Sequence, residues 1–132
     1  MDMELVPRDK KTDNRITVQI GPGVQKLKIR DHEVFANPLA QVITWNLDPG
    51  LKRGDFVSFA WTGQPPAAGI FGNPEISADG NSLKLRNLNN DPTKTRGSFG
   101  YIITIEMDDE TYTSGETISM SGVMRDPIII NK

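Results

Sequence analysis

The chain contains no cysteine among its 132 residues. That removes disulfides, thiol nucleophiles and thiolate metal sites together, without fixing the redox compartment. It contains a single histidine, His32. Blue copper asks for two histidines and a cysteine, so that site is excluded, and zinc is nearly so. A serine or threonine nucleophile also needs a base and an orienting group; His32 is the only obvious base, and no Gly-x-Ser-x-Gly elbow occurs. His32 stands between Asp31 and Glu33 and reads as an exposed histidine in a polar turn.

Long apolar runs are missing too. A membrane-spanning helix needs roughly 20 apolar residues, and the longest candidate, Tyr101 to Ile105, is stopped by Glu106. Residues 1–14 are charged throughout and lack the apolar centre of a secretory leader. They read as an N-terminal arm ahead of one domain, residues 15–132. The expectation is a cytoplasmic protein with no membrane contact, export being left open.

A strong charge of one sign is absent as well. The formal net charge is −2, which argues against an electrostatic nucleic-acid binder. Residues 1–66 carry nine cations and eight anions, and residues 67–132 carry six and nine, an ordinary mixed surface. Gly21-Pro22-Gly23 is no phosphate loop, because no helix is predicted after it and the proline lacks an amide hydrogen. Asp79-Gly80-Asn81, Asn87–Asp91 and Asp108-Asp109-Glu110 have calcium-friendly composition but no EF-hand spacing. No cofactor and no metal are expected.

What the chain does have is short alternating segments punctuated by 12 glycines and 9 prolines. Arg15–Ile20 alternates through Ile16, Val18 and Ile20; Val24–Arg30 alternates Leu27 and Ile29 against Lys26, Lys28 and Arg30, a half-buried strand with a basic outer face. Gln41–Leu47 places Ile43, Trp45 and Leu47 on one side, which puts Trp45 in the core, and Asp48-Pro49-Gly50 turns the chain. Asp55–Trp61 is apolar or small on both faces and reads as a central strand. Ser82–Leu88 alternates through Leu83 and Leu85. Phe99, Tyr101, Ile103, Ile105 and Met107 give the strongest period-2 signal, and with Asp108-Asp109 and Thr111–Thr113 they predict a hairpin. The best candidate for a helical turn is Asn37–Gln41.

About seven to nine such strands predict an all-β fold, a two-layer antiparallel immunoglobulin-like β-sandwich, with a flattened barrel as the competitor. The longest irregular stretch, Thr62–Pro74, follows Trp61 and contains Gln64 and Phe71. An aromatic beside an amide side chain is a common way to stack on a sugar or peptide. Trp61, Gln64 and Phe71 are therefore the candidate ligand-binding residues, the competing reading being that Trp61 and Phe71 plug one end of the sandwich.

Several segments carry a family resemblance: Asn73-Pro74-Glu75-Ile76-Ser77, Asp79-Gly80 followed by Ser82-Leu83-Lys84-Leu85, Asn87-Leu88-Asn89, Phe99-Gly100-Tyr101, Tyr112-Thr113-Ser114, and the closing Asp126-Pro127-Ile128-Ile129-Ile130-Asn131. Across its C-terminal half the chain resembles the DP-EP family of small bacterial proteins, which implies a sandwich fold and brings no catalytic residue or cofactor with it. Gly115–Arg125 is longer than that family's pattern.

The function that fits is a non-enzymatic binding or assembly module, a homo-oligomer or the binder of a protein partner. Its motive is Ile128-Ile129-Ile130, whose side chains project to both faces and need cover on both. Two alternatives stand beside it: a carbohydrate-binding module using the loop after Trp61, and a hydrolase built on paired carboxylates, with no catalytic residue assigned.

Overall fold

The computed structural model describes residues 14–132 except 22, 92, 115, 116, 120, 121 and 125. The arm lies outside the described residues but for Asn14. That residue is tied to the fold, accepting from the Thr44 amide through its carbonyl at 2.8 Å and donating its side-chain amide to Gln41.

The described residues are almost entirely β. In chain order the strands are β1 (Arg15–Ile20), β2 (Leu27–Lys28), β3 (His32–Val34), β4 (Gln41–Leu47), β5 (Asp55–Trp61), β6 (Glu75–Ile76), β7 (Ser82–Asn87), β8 (Gly97–Met107), β9 (Glu110–Thr113), β10 (Thr117–Ser119), β11 (Gly122–Met124) and β12 (Ile128–Asn131). One five-stranded sheet runs β2-β1-β4-β7-β6; another runs β3-β12-β8-β5, with β9 also on β8. The alternation that marks β1, β4, β7 and β8 in the sequence is their burial pattern, one face on the core and one outside, except that Ile20 at the end of β1 is exposed where Ile16 and Val18 are buried.

Both sheets are mixed, not purely antiparallel. β1 pairs parallel with β4, and β3 pairs parallel with β12. Parallel neighbours need a long crossover, and residues 21–40 supply it by passing through β3 in the opposite sheet before returning as β4. The sheets touch edge to edge at the Lys26–Thr113 bridge, where the Thr113 amide donates to the Gln25 carbonyl at 3.1 Å. At the opposite edges the Phe56 amide of β5 donates to the Gly80 carbonyl of the β6–β7 turn at 2.9 Å, so the barrel reading keeps some substance among the described residues.

Trp45 on β4 is fully buried and joins the layers. Its ring lies 5.3 Å from Tyr101 on β8 and 5.5 Å from Phe59 on β5, and its indole N–H donates to the Tyr101 hydroxyl at 3.0 Å. Around it pack Ile16, Val18, Ile43, Leu83, Leu85, Ile103, Ile105 and Ile129, all essentially without exposure. Each such burial stabilises by about 1.5–3 kcal/mol.

Three local expectations change, and one holds. β5 is an edge strand, and a bulge at Val57 rotates Phe56 onto the side of Phe59 and Trp61 while Val57 turns outward. That irregularity is why both faces look apolar in sequence. The Val24–Arg30 strand shrinks to Leu27–Lys28. A 3-10 turn forms at Pro49–Leu51 and not at Asn37–Gln41, because the Asp48 carboxylate accepts from the Gly50 amide and Pro49 sits at the first position, where its missing N–H costs nothing. The β8–β9 hairpin turns as expected through Asp108 and Asp109, both at positive φ, the type I′ signature.

Candidate functional site

His32 is not an exposed turn residue. It lies in β3 at 6% exposure, facing inward with Val34, and its Nε2 sits 2.8 Å from the Asn14 side-chain oxygen. Of the flanking acids that suggest a turn, Glu33 is the outward residue of a short strand, and Asp31, just before it, accepts from the Ile128 amide at 3.1 Å. Among the described residues no group of three or more His, Asp or Glu is placed to hold a metal ion. Two carboxyls are held below their ordinary range: Asp79, by hydrogen bonds from the Ser77 hydroxyl and the Asn81 amide, and Asp108, by Arg53 at 2.6 Å. Neither is tuned as a general acid, which needs its pKa raised.

Two of the three residues singled out by sequence, Trp61 and Phe71, meet at one end of the molecule, where β5 finishes and β8 begins. Trp61 and Phe71 are half-buried with ring centroids 4.7 Å apart. Phe99, read from sequence only as a strand residue, completes the group at 5.1 Å from Phe71 and 6.4 Å from Trp61, and Phe59 meets Trp61 edge-on at 4.9 Å. Phe71 belongs to the opposite sheet through its bridge to Asn87, so the rings span the gap between the two layers. Gly72 and Leu88 amides donate to the Arg86 and Ile70 carbonyls, so the loop's second half runs along β7 toward β6. Gln64 lies exposed in the first half.

Beneath this end lies a buried polar network. Asn87 and Asn131 exchange amide hydrogen bonds at 2.7 and 3.3 Å, and Asn131 also donates to the Thr95 carbonyl. Asn89 donates to the carbonyls of Val34 and Lys132, and its side-chain oxygen accepts from the Thr95 hydroxyl at 2.7 Å. Buried amides must find such partners, and these four residues fasten β3, β7, β12 and the 88–96 loop together. The sequence holds the signal: Asn87 continues the inward phase of Leu83 and Leu85, and Asn131 that of Ile129. Above the network an open groove of about 410 Å³ is lined by Arg96, Gly97, Ser98, Ile130, Asn131 and Lys132. Gly97 sits at φ +152°, and a β-carbon there would lie 3.1 Å from the Phe99 ring, which links the groove to the aromatic group.

The Ile128-Ile129-Ile130 strand finds its cover largely at home. It lies between β3 and β8 with Ile129 fully buried and its two neighbours half-buried. The segment before it explains the extra length of Gly115–Arg125. Ser114 stands opposite Ile103, and Pro127 stands opposite Tyr101, on the same side of β8. β9 and β12 are thus two halves of one strand, parted by an excursion that contains the β10–β11 hairpin.

Among the described residues no helix is long and apolar enough to cross a membrane. Compared with protein-family models the sequence matches none, and a search of curated proteins gave no significant match.

Proposed function

We propose that this chain is a non-enzymatic immunoglobulin-like β-sandwich that works as a binding or assembly module. The order β4-β7-β6 facing β12-β8-β5 corresponds to the B-E-D and G-F-C sheets of that fold, and the resemblance to the DP-EP family belongs to the same reading. The observation that carries the assembly clause is the connection from β3 to β4. Phe35, Leu39 and Val42 are 58%, 75% and 49% exposed within eight residues, and the Gln41 side chain donates to the Phe35 carbonyl, drawing the segment together. Grouped exposed apolar side chains mark interaction surfaces. Here the fitting occupant is a second copy of the chain. Light scattering across a concentration series tests it: the protein associates, and Phe35→Ser with Leu39→Ser restores a monomer. A wild-type monomer at every concentration would sink the assembly clause.

A second reading, glycan recognition by Trp61, Gln64 and Phe71, draws support from the partial exposure of both rings and from an exposed amide in the same loop. Soluble glycans then quench tryptophan fluorescence in the wild type and fail to do so in Trp61→Ala, which stays folded. No quenching across a glycan panel ends that reading.

A further inference from the structure

The outer face of the β2-β1-β4-β7-β6 sheet has a composition unlike the chain as a whole. Strand alternation fixes its occupants: Arg15, Thr17 and Gln19 from β1, Lys28 from β2, Val42, Thr44 and Asn46 from β4, and Ser82, Lys84 and Arg86 from β7. Glu75 of β6 stands opposite Lys84. Four strand cations therefore share this face with one strand carboxylate, with Lys52 and Asp79 together at its edge beside Asn46 and Ser82, in a protein of net charge −2.

The register orders them. Arg15, Thr44, Lys84 and Glu75 form one row across four strands; Thr17, Asn46 and Ser82 form the next, and Val42 pairs with Arg86. Neighbouring strands stand about 4.8 Å apart and alternate residues of one strand about 6.8 Å apart, so cations recur every one or two rows with hydroxyls and amides between them. Among the described residues Lys28, Lys84 and Arg86 make no ion pair. The inner face of the same strands is sealed on Ile16, Trp45, Leu83 and Leu85, which holds the outer side chains on a rigid platform.

We propose that this face binds an anionic polysaccharide, a chain bearing uronate carboxylates or sulfates. The cations match its acidic groups, and the interleaved Thr17, Thr44, Asn46, Ser82 and Gln19 match ring hydroxyls. The choice over single-stranded nucleic acid rests on what the rows lack: no aromatic side chain stands on them, whereas base stacking on aromatics is the usual basis of single-strand binding. This surface is separate from the Trp61 end and meets the Phe35–Val42 patch only at Val42, and its test rests on Lys84 and Arg86.

The experiment titrates the full chain with heparin oligosaccharide and with polygalacturonate at several salt concentrations, beside oligo-dT and polyglutamate. Binding to the acidic glycans is expected, weakening as salt rises, and at least tenfold weaker for Lys84→Glu with Arg86→Glu. The milder Lys84→Gln with Arg86→Gln gives a smaller loss, and an unchanged melting temperature shows that the variants fold. Trp61→Ala binds like the wild type. Equal binding by the charge-reversed protein overturns the proposal, as does equal affinity for polyglutamate or oligo-dT. Salt-sensitive self-association lost in the same variant also overturns it, handing the face to a second copy of the chain.

Discussion

The Trp45 indole N–H and the Tyr101 hydroxyl meet at 3.0 Å between the two sheets, with neither side chain exposed. Burial pushes the Tyr101 phenol well above its ordinary value. The folded chain therefore holds that proton more tightly than the unfolded chain does. Its contribution to stability is complete below pH ~10, the ordinary tyrosine value, and declines as pH rises beyond it. Tyr101→Phe leaves the indole N–H without a partner, and urea melts at neutral pH should show a loss of about 1–3 kcal/mol. The same variant should be less sensitive to alkali than the wild type; an equal alkaline slope would assign that sensitivity to other groups.

Gly80 sits at φ +76°, its carbonyl accepts from the Phe56 amide, and a β-carbon there would run into the Asp55 carboxylate. Gly80→Ala should lower the melting temperature through both strain and collision. Adding Asp55→Ala removes the collision alone, so partial recovery in the double variant is the outcome to measure. The left-handed cost of about 1–2 kcal/mol remains.

Asn131→Ala should cost about 1–3 kcal/mol, because the Asn87 amide and the Thr95 carbonyl lose a buried partner. Replacing Asn87 and Asn131 together by leucine should cost less than the two single changes added, since neither leaves an orphaned amide facing the other. Simple additivity in a double-mutant cycle would show that the pair is not coupled.

Deleting residues 115–125 should leave the molecule folded. Ser114 and Pro127 face positions of β8 only two residues apart, so a directly joined Asp126 falls opposite Ile102 and the ladder runs unbroken from Glu110 to Asn131. A far-ultraviolet circular dichroism spectrum and a cooperative melt like those of the full chain are the expected result. Loss of cooperative unfolding would make the excursion part of the core's support.

The parts of this fold legible in the sequence are those with a single alternation and a clean stop. Arg15–Ile20, Gln41–Leu47 and the Asp108-Asp109 hairpin have period 2 with turn residues at the boundary. Trp45 follows from its phase. Asp55–Trp61 misleads because the bulge at Val57 moves Phe56 onto the other face, and a one-residue irregularity is invisible to a pattern of period 2. His32 misleads because three residues are too few to separate an alternating strand from a turn. Parallel pairing of β1 with β4 is a property of the crossover between them, which no single segment encodes. Of the candidate site, the approach of Trp61 to Phe71 is foreshadowed by their shared loop; Phe99 joins them only because β8 begins where β5 ends.

The parallel pairing of β3 with β12 sets a schedule for synthesis. His32 to Val34 emerge from the ribosome long before their ladder partners Ile129 to Asn131. Until then the first half of β8 also lacks its β12 neighbour. Contacts of such separation are slow to close and leave strand edges open to other chains in the interval. The chain is therefore open to edge-to-edge association until β12 has been made, and a truncation that removes Ile128–Asn131 would leave two edges bare at once.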